Sequence, residues 1–164
     1  MKLRWFLTFL SALCMAGVAA GQTKVSGKVH CGKPDDEHVI EIGDRADHTF
    51  AMDKTTCTWT TPWEIEGVKA KDDVVTGFSE SSGGKFKERG YTVINMENGD
   101  KTTMSFQGSS TLSKDGTLTA TGTWIGSSAT GKFKGIKQKG TYTCKGNADG
   151  NDCDIEGEYT LAAK

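Results

Sequence analysis

A strict alternation of side chains near the C-terminus constrains the fold of this chain more than any other feature. From Cys153 to Leu161, apolar residues and glycine share one parity, while acidic residues and threonine share the other. A period of two is typical of a β-strand with one buried and one solvated face. Residues 139–144 alternate in the same way, and Asn147-Ala148-Asp149-Gly150 has the composition of a turn. The sequence therefore predicts a β-hairpin.

One register of this hairpin suits all of its side chains. It places Gly146 opposite Asn151 across the turn. The facing pairs that follow are Cys144–Cys153, Tyr142–Ile155, Gly140–Gly157, Lys139–Glu158 and Lys145–Asp152. Opposite charges that face each other across a β-ladder are favourable. A register shift of one residue would expose the side chains of Tyr159 and Leu161 to solvent.

Residues 1–20 have the pattern of an export signal. Lys2 and Arg4 supply the positive end, and residues 5–18 form a mostly apolar run. That run is shorter than the roughly 20 residues of a comfortable membrane span. Val18-Ala19-Ala20 offers the small residues that a signal peptidase requires. We therefore expect an exported protein, periplasmic or secreted.

Two alternatives to a cleaved signal remain open. The segment could stay attached as an anchor, or Cys14 could be lipidated. Leu13, however, stands where a small residue is expected before a lipidated cysteine. We expect one β-barrel domain over residues 21–164 and no membrane span after cleavage.

The charge balance excludes one class of partner. The sequence holds 20 basic and 21 acidic side chains, and loss of Lys2 and Arg4 leaves a net charge of about −3. Nucleic-acid binding needs a basic field, so we expect no nucleic-acid partner. The sequence has no phosphate-binding loop, nucleophile elbow or convincing triad, and we expect no cofactor. It leaves the oligomeric state open.

The cysteines indicate an oxidising compartment. Five are present, and four remain once Cys14 leaves with the signal. An even number in an exported chain predicts two disulfides, with three possible pairings. The hairpin register favours Cys144–Cys153, which leaves Cys31–Cys57. Zinc binding is the alternative, but the spacings are not of the C-x-x-C type.

The remainder of the chain has the composition and the turn spacing of an all-β protein. It contains 21 glycines and only two prolines, and it lacks a helical period after residue 20. About eight to ten strands separated by turn signals are typical of a sandwich or closed barrel. Inward glycines at four strand positions favour the barrel, because they allow tight bending. These glycines are Gly108, Gly122, Gly140 and Gly157.

Two further hairpins are predicted in the middle of the chain. A two-residue loop at Asn98-Gly99 would place Tyr91 opposite Phe106. The turn at Lys114-Asp115-Gly116 would place Phe106 opposite Trp124. Both hairpins then use the same inward parity, so they can be neighbours in one meander.

Three local features are also expected. The apolar parity changes between Phe50 and Trp59, which a bulge near Lys54 would explain. Lys71-Asp72-Asp73 is expected to join two strands. Ser81-Ser82-Gly83-Gly84 is expected to be a flexible loop.

The run from Thr130 to Lys137 (TGKFKGIK), followed by Gly140-Thr141-Tyr142, resembles a motif of the allene oxide cyclase-like and dirigent-like barrels of the calycin group. The block through Tyr159 is also similar to uncharacterised exported bacterial β-proteins. The resemblance covers about thirty residues, and its glycines have a structural role. It implies an eight-stranded antiparallel barrel with an apolar interior, and it carries no catalytic residue to this chain.

Five aromatic side chains are candidate ligand-lining residues, because they share the predicted inward parities. They are Tyr91, Phe106, Trp124, Tyr142 and Tyr159. In a small barrel such side chains either fill the core or line a pocket for a small apolar ligand, and both alternatives are open.

Other candidate chemistry has a simpler interpretation. His30, His38 and His48 match no metal-ligand spacing and are predicted to be surface residues, so we expect no metal site. Residues 147–158 resemble a calcium loop only in part, since the position that needs glycine holds Asp152. The acidic parity of the last strand is predicted to be a solvated outer face.

The sequence favours a non-catalytic function: binding of a small hydrophobic molecule, or a structural or protein-interaction role in the cell envelope. An isomerase or cyclase acting inside the barrel is the alternative. It would need a buried carboxylate or tyrosine with a perturbed pKa. None of the inward strand positions identified above carries an acid, which weighs against catalysis.

Overall fold

The computed structural model describes residues 21–162, so the predicted export signal lies outside the described residues. The described part contains ten β-strands and one short 3-10 turn. In chain order they are β1 (Thr23–Cys31), β2 (Asp36–Glu41), β3 (Thr49–Thr61), β4 (Glu64–Ile65), β5 (Val68–Ser82), β6 (Lys85–Met96), β7 (Lys101–Leu112), β8 (Leu118–Ala129), the 3-10 turn (Gly131–Phe133), β9 (Lys137–Asn147) and β10 (Gly150–Thr160).

Eight of these strands close into an antiparallel barrel, as the sequence predicts. The order around the barrel is β3-β1-β10-β9-β8-β7-β6-β5, and pairing between β3 and β5 completes the circle. Strand β2 continues the line of β1 and pairs with the first half of β3. Strand β4 forms a short hairpin with the start of β5.

The C-terminal hairpin has the predicted register. Cys144 lies opposite Cys153, and Lys139 lies opposite Glu158 with Nζ and Oε1 3.2 Å apart. Both predicted disulfides, Cys144–Cys153 and Cys31–Cys57, are present. The regular alternation of this hairpin therefore fixed its pairing, its faces and its cross-link.

The β6–β7 hairpin differs from the prediction by one residue. The Met96 N–H donates to the Asp100 carbonyl at 2.9 Å, so residues 97–99 form a three-residue loop. Tyr91 therefore faces Ser105 on the outer surface and is 58% exposed. The prediction that Tyr91 points inward was wrong, because a change of one residue in a loop reverses every side chain of the strand.

Three local predictions were also wrong. Asp72 and Asp73 lie within β5 and pair with β6, so no loop interrupts the strand there. Ser81 and Ser82 end β5, which leaves Gly83 and Gly84 as a tight turn. The β3–β5 pairing continues past Lys54 without a register shift, because β3 presents Phe50 outward rather than bulging.

One end of the barrel is filled with side chains. Trp63, Ile65 and Phe133 are all at most 1% exposed. Phe133 belongs to the 3-10 turn, which brings it to this end of the barrel. In the middle, the Trp63 ring packs against the rings of Trp59 and Trp124. This aromatic cluster separates the filled end from the other half of the barrel.

Candidate functional site

A cavity of about 490 Å³ occupies the other half of the barrel. Its floor includes the indoles of Trp59, Trp63 and Trp124. It extends to the end of the barrel formed by the β1–β2 loop at residues 32–34 and the β9–β10 turn at residues 147–150. The interior is therefore only partly filled, which the sequence left open.

The structure brings together three of the five predicted ligand-lining residues. Phe106, Trp124 and Tyr142 line the cavity, and the ring of Phe106 meets that of Tyr142 edge to face. Tyr159 is buried but is not part of the cavity wall, and Tyr91 is on the outer surface. A role in ligand binding stays a prediction for the three that line the cavity.

A single row of paired residues crosses the cavity wall. Glu88 on β6 faces Gly108 on β7, Gly108 faces Gly122 on β8, and Gly122 faces Tyr142 on β9. A Cβ atom on either glycine would collide with the Tyr142 hydroxyl. The two glycines therefore open the path along which Tyr142 reaches Glu88.

Glu88 and Tyr142 form a hydrogen-bonded pair inside the barrel. The Tyr142 hydroxyl donates to Glu88 Oε1 at 2.8 Å, and Ser110 Oγ donates to Oε2 at 3.3 Å. Burial raises the pKa of Glu88, while these two hydrogen bonds oppose the rise. Burial also raises the pKa of Tyr142, and the neighbouring Glu88 charge adds to the effect.

A second carboxylate, Asp73 on β5, is deeper in the cavity. Only 4% of its surface is exposed, and Thr92 Oγ1 donates to its Oδ2 at 3.1 Å. Its Oδ1 atom is buried without a hydrogen-bond partner. Burial raises the pKa of Asp73 to about 6, because the charged form loses hydration. This side chain can therefore change protonation state close to neutral pH.

A third carboxylate, Asp53, projects from β3 over Gly77. Thr55 Oγ1 is 3.4 Å from its Oδ2. Burial raises the pKa of Asp53, and the charge of Glu37 near the opening adds to the rise. The charge of Asp53 also contributes to the raised pKa of Glu88.

The carboxylates lie at two depths. Asp73 faces Cys57, whereas Asp53 is four residues away along the same strand, β3. At about 3.3 Å per residue, that separation is roughly 13 Å along the strand. Glu88 lies further still from Asp73, opposite Ser79. Asp73 thus belongs to the aromatic floor, and the other two lie towards the opening.

Among the residues that the structure describes, no basic side chain neutralises this acidic set. Lys33 is the one basic residue of the cavity lining, and its Nζ is 2.8 Å from Asp149 Oδ1 at the opening. Within residues 21–162, neither Asp53, Asp73 nor Glu88 has a basic group within salt-bridge distance. The cavity combines apolar walls with uncompensated negative charge.

None of these three acids was predicted to point into the barrel, although two signals in the sequence were present. Lys85, Lys87 and Arg89 share one parity of β6, which marks that parity as the solvent face and Glu88 as inward. No glycine or proline lies near Asp73, so a break in the strand there had no basis in the residues.

The three histidines differ in burial and in their hydrogen-bond partners. His30 and His38 are exposed, as predicted. His48 is buried, so its assignment to the surface was wrong: it is hydrogen-bonded to Asp44 and Glu80, which both raise its pKa. In the part of the chain that the structure describes, no group of three His, Cys, Asp or Glu residues is arranged to hold a metal ion.

Comparison with known proteins identifies the fold. No protein-family model matches the sequence, and no curated protein matches it. Two solved structures, both of pterocarpan synthase dirigent proteins, are similar to the chain. The first has 8% sequence identity and a TM-score of 0.54, and the match covers 98% of this chain and all 100% of that one. The second has 10% identity and a TM-score of 0.50, with 88% and 97% covered.

These similarities confirm the dirigent-like part of the resemblance and the barrel fold. At this level of identity they concern the fold alone. The relation to allene oxide cyclases and the wider calycin group stays a prediction.

Proposed function

We propose that the barrel binds a small amphipathic molecule in its cavity. The observation that carries this proposal is a cavity of about 490 Å³ with apolar and aromatic walls and a few inward polar groups. Its volume is within the roughly 300–1,000 Å³ of small-molecule sites. A barrel built only for stability would fill this space with side chains, because empty apolar volume reduces stability.

Three residues of the cavity lining carry polar atoms without partners, and these indicate what a ligand could offer. The indole N–H groups of Trp59 and Trp63 and the Oδ1 atom of Asp73 are buried without protein partners. A buried polar group without a partner is costly, so a pure hydrocarbon would fit poorly. The proposed ligand is therefore apolar over most of its surface and carries hydrogen-bonding groups.

A fluorescent apolar probe tests this proposal. N-phenyl-1-naphthylamine, which brightens in apolar surroundings, should bind saturably to the protein. Ala120→Phe, which places a ring in the cavity, should abolish the signal. Thr121→Phe is the matched control, because Thr121 is the adjacent residue of β8 and faces solvent. Equal binding by both variants would show that the probe lies elsewhere and would contradict the proposal.

The second candidate function is catalysis: an isomerase or cyclase that uses the cavity carboxylates. The specific observation in its favour is the pKa of Asp73, raised to about 6, because a group that titrates near neutral pH can both donate and accept a proton. The two similar structures are of pterocarpan synthases, which supports catalysis by analogy of fold.

Mass spectrometry distinguishes binding from catalysis. Protein isolated from its native source is analysed under non-denaturing conditions, and the compound it carries is identified and supplied again in excess. A binding protein returns the compound unchanged. An enzyme converts it or its precursor, and Asp73→Asn would slow that conversion.

Export is part of the proposal. The two disulfides support it, because such bonds persist in oxidising compartments, and the pattern of residues 1–20 adds to it. Separately, no helix in the described residues is long and apolar enough to cross a membrane. Cell fractionation with N-terminal mass analysis should find a mature chain that starts near Gly21. A cytoplasmic protein that retains Met1 would contradict export.

A further inference from the structure

We infer that the cavity selects an organic cation, a molecule with an apolar body and a protonated amine that binds at Asp73. This inference rests on the proposed binding function and adds the chemical class of the ligand. It is carried by the charge of the cavity and by the geometry around one buried carboxylate.

The charge of the cavity excludes anions and favours cations. Asp53, Asp73 and Glu88 lie on three adjacent strands, β3, β5 and β6, and all three line the cavity. No charged side chain of the lining comes from β1, β7, β8 or β10. The titratable side chain that β9 contributes to the lining is that of Tyr142. At the opening, Glu37 adds a further acid, while Lys33 is paired with Asp149. These charges repel a ligand carboxylate, whereas they attract a cation and guide it inward.

Asp73 provides the binding group. Its carboxylate is 4% exposed and accepts one hydrogen bond from Thr92, while Oδ1 has no partner. A protonated amine supplies both a donor and the opposite charge, and such charge-assisted bonds are about twice as strong as neutral ones. Cys57 and Ile94, the residues paired with Asp73, offer neither.

The floor around this carboxylate suits the apolar body of the same ligand. Trp59, Trp63, Ile94 and Met104 all line the cavity together with Asp73. Indole faces attract cations, so an ammonium group near Asp73 would also be stabilised by the aromatic cluster. Towards the opening, the apolar body of the ligand would lie against Phe106. Asp53 and Glu88 would act on the ammonium group through their electrostatic field.

Three probes of one shape test the charge preference. Each has a naphthalene ring and a two-carbon chain, which ends in an ammonium, a hydroxyl or a carboxylate group. Calorimetry or quenching of tryptophan fluorescence would measure their affinities. At neutral pH the amine should bind at least about tenfold more tightly than the alcohol, as expected for a hydrogen bond to a charged group, and the carboxylate should bind most weakly.

Substitutions then locate the effect. Asp73→Asn should remove most of the preference for the amine and leave the affinity of the alcohol unchanged. Glu88→Gln should weaken amine binding by a smaller factor that disappears in high salt. Asp154→Asn is the matched control, since Asp154 lies on the outer face of β10 in an ion pair with Lys28. It should change nothing.

The pH dependence gives a second test that needs no variant. The ammonium group stays charged, whereas Asp73 takes up a proton below its pKa of about 6. The other titratable groups of the lining are Asp53, Glu88, Glu37, Tyr142 and Lys33. The amine affinity should fall as the pH drops below about 6, by up to tenfold per pH unit for one competing proton, while the alcohol affinity stays flat.

Each outcome has a definite meaning. Equal binding of amine and alcohol, or an unchanged amine preference in Asp73→Asn, would overturn the inference and leave the proposed function standing. Tightest binding of the carboxylate would overturn it as well. If no probe binds, the proposed function fails together with the inference.

Discussion

The two sides of the barrel wall are built from different residues and contribute differently to the fold. Strands β7 to β10 form a packed wall, in which the Trp124 indole lies against Gly140 and Gly157 and donates from Nε1 to the Thr141 carbonyl at 3.1 Å. Strands β3, β5 and β6 form an acidic wall, which contains the buried Asp73 and the half-buried Asp53 and Glu88.

This difference in composition indicates a structural role for the packed wall and a functional role for the acidic wall. Buried aromatic surface stabilises the packed wall, whereas burial of unpaired carboxylates opposes folding. Natural proteins keep destabilising groups where function requires them. The acidic wall is therefore where the chemistry of this protein is expected, and four predictions test the contrast.

The largest effect is expected in the packed wall. Trp124→Ala should reduce the free energy of unfolding by about 3–5 kcal/mol, because it removes a large buried ring and leaves a cavity. Denaturant titration measures this. Ile125→Ala is the control: it changes the next residue, whose side chain is 61% exposed, and should cost less than about 0.5 kcal/mol. Similar losses would contradict the importance of the packed wall.

A substitution in the acidic wall should have the opposite sign. The pKa of Asp73 is raised from its ordinary 3.8 to about 6, so the folded state holds its proton more tightly than the unfolded state. This carboxyl group therefore destabilises the folded protein increasingly as the pH rises from about 4 to 6. Asp73→Asn removes that cost and should stabilise the protein by up to about 3 kcal/mol at neutral pH.

Thermal unfolding across pH checks this sign. The advantage of Asp73→Asn should disappear below about pH 4, where the carboxyl group is neutral in both states. Asp154→Asn on the outer face should show no such gain. If Asp73→Asn destabilises the protein at neutral pH, the carboxylate is compensated and the contrast between the walls is wrong.

The Glu88–Tyr142 hydrogen bond connects the two walls. Tyr142→Phe should cost about 1–2 kcal/mol, because it leaves Glu88 with fewer donors in a buried place. It should also raise the pKa of Glu88 further, since the tyrosine hydrogen bond lowers it. A double-mutant cycle with Glu88→Gln measures the coupling, and additive effects would show that the bond contributes nothing.

The smallest effect on stability is expected on the outer face of the barrel. Lys139→Ala breaks the ion pair with Glu158, whose Nζ–Oε1 distance is 3.2 Å on the outer face of the hairpin. Exposed pairs of this kind contribute at most about 0.5–1 kcal/mol, and salt screens them. The loss should disappear in high salt. A larger, salt-independent loss would place part of the stability on the solvent face.

The packed wall could be predicted from the sequence because its signals agree with one another. Turn residues, alternating polarity and facing cysteines all required the same register for Cys144 and Cys153. The register that pairs Phe106 with Trp124 was also correct. Where each local preference points to the same structure, the pattern alone is sufficient.

The acidic wall could not be predicted in the same way, because its acids contradict the usual rule of burial. Asp73 was assigned to a loop as one of three adjacent charged residues. Asp53 was hidden by Phe50 and Met52, which present apolar groups on the outer face of the same strand. For Glu88, the three-residue loop after Met96 reversed the expected parity.

The pairing of the first strand with the last has a consequence for how the protein is made. Thr23 lies opposite Tyr159, and Cys31 lies opposite Asn151, so β1 finds this partner only in the final segment of the chain. Contacts so distant in sequence form slowly, and this pairing cannot form before Gly150–Thr160 has been synthesised. The barrel therefore cannot close until that last strand is available, although the hairpins between β5 and β9 can form earlier from neighbouring segments.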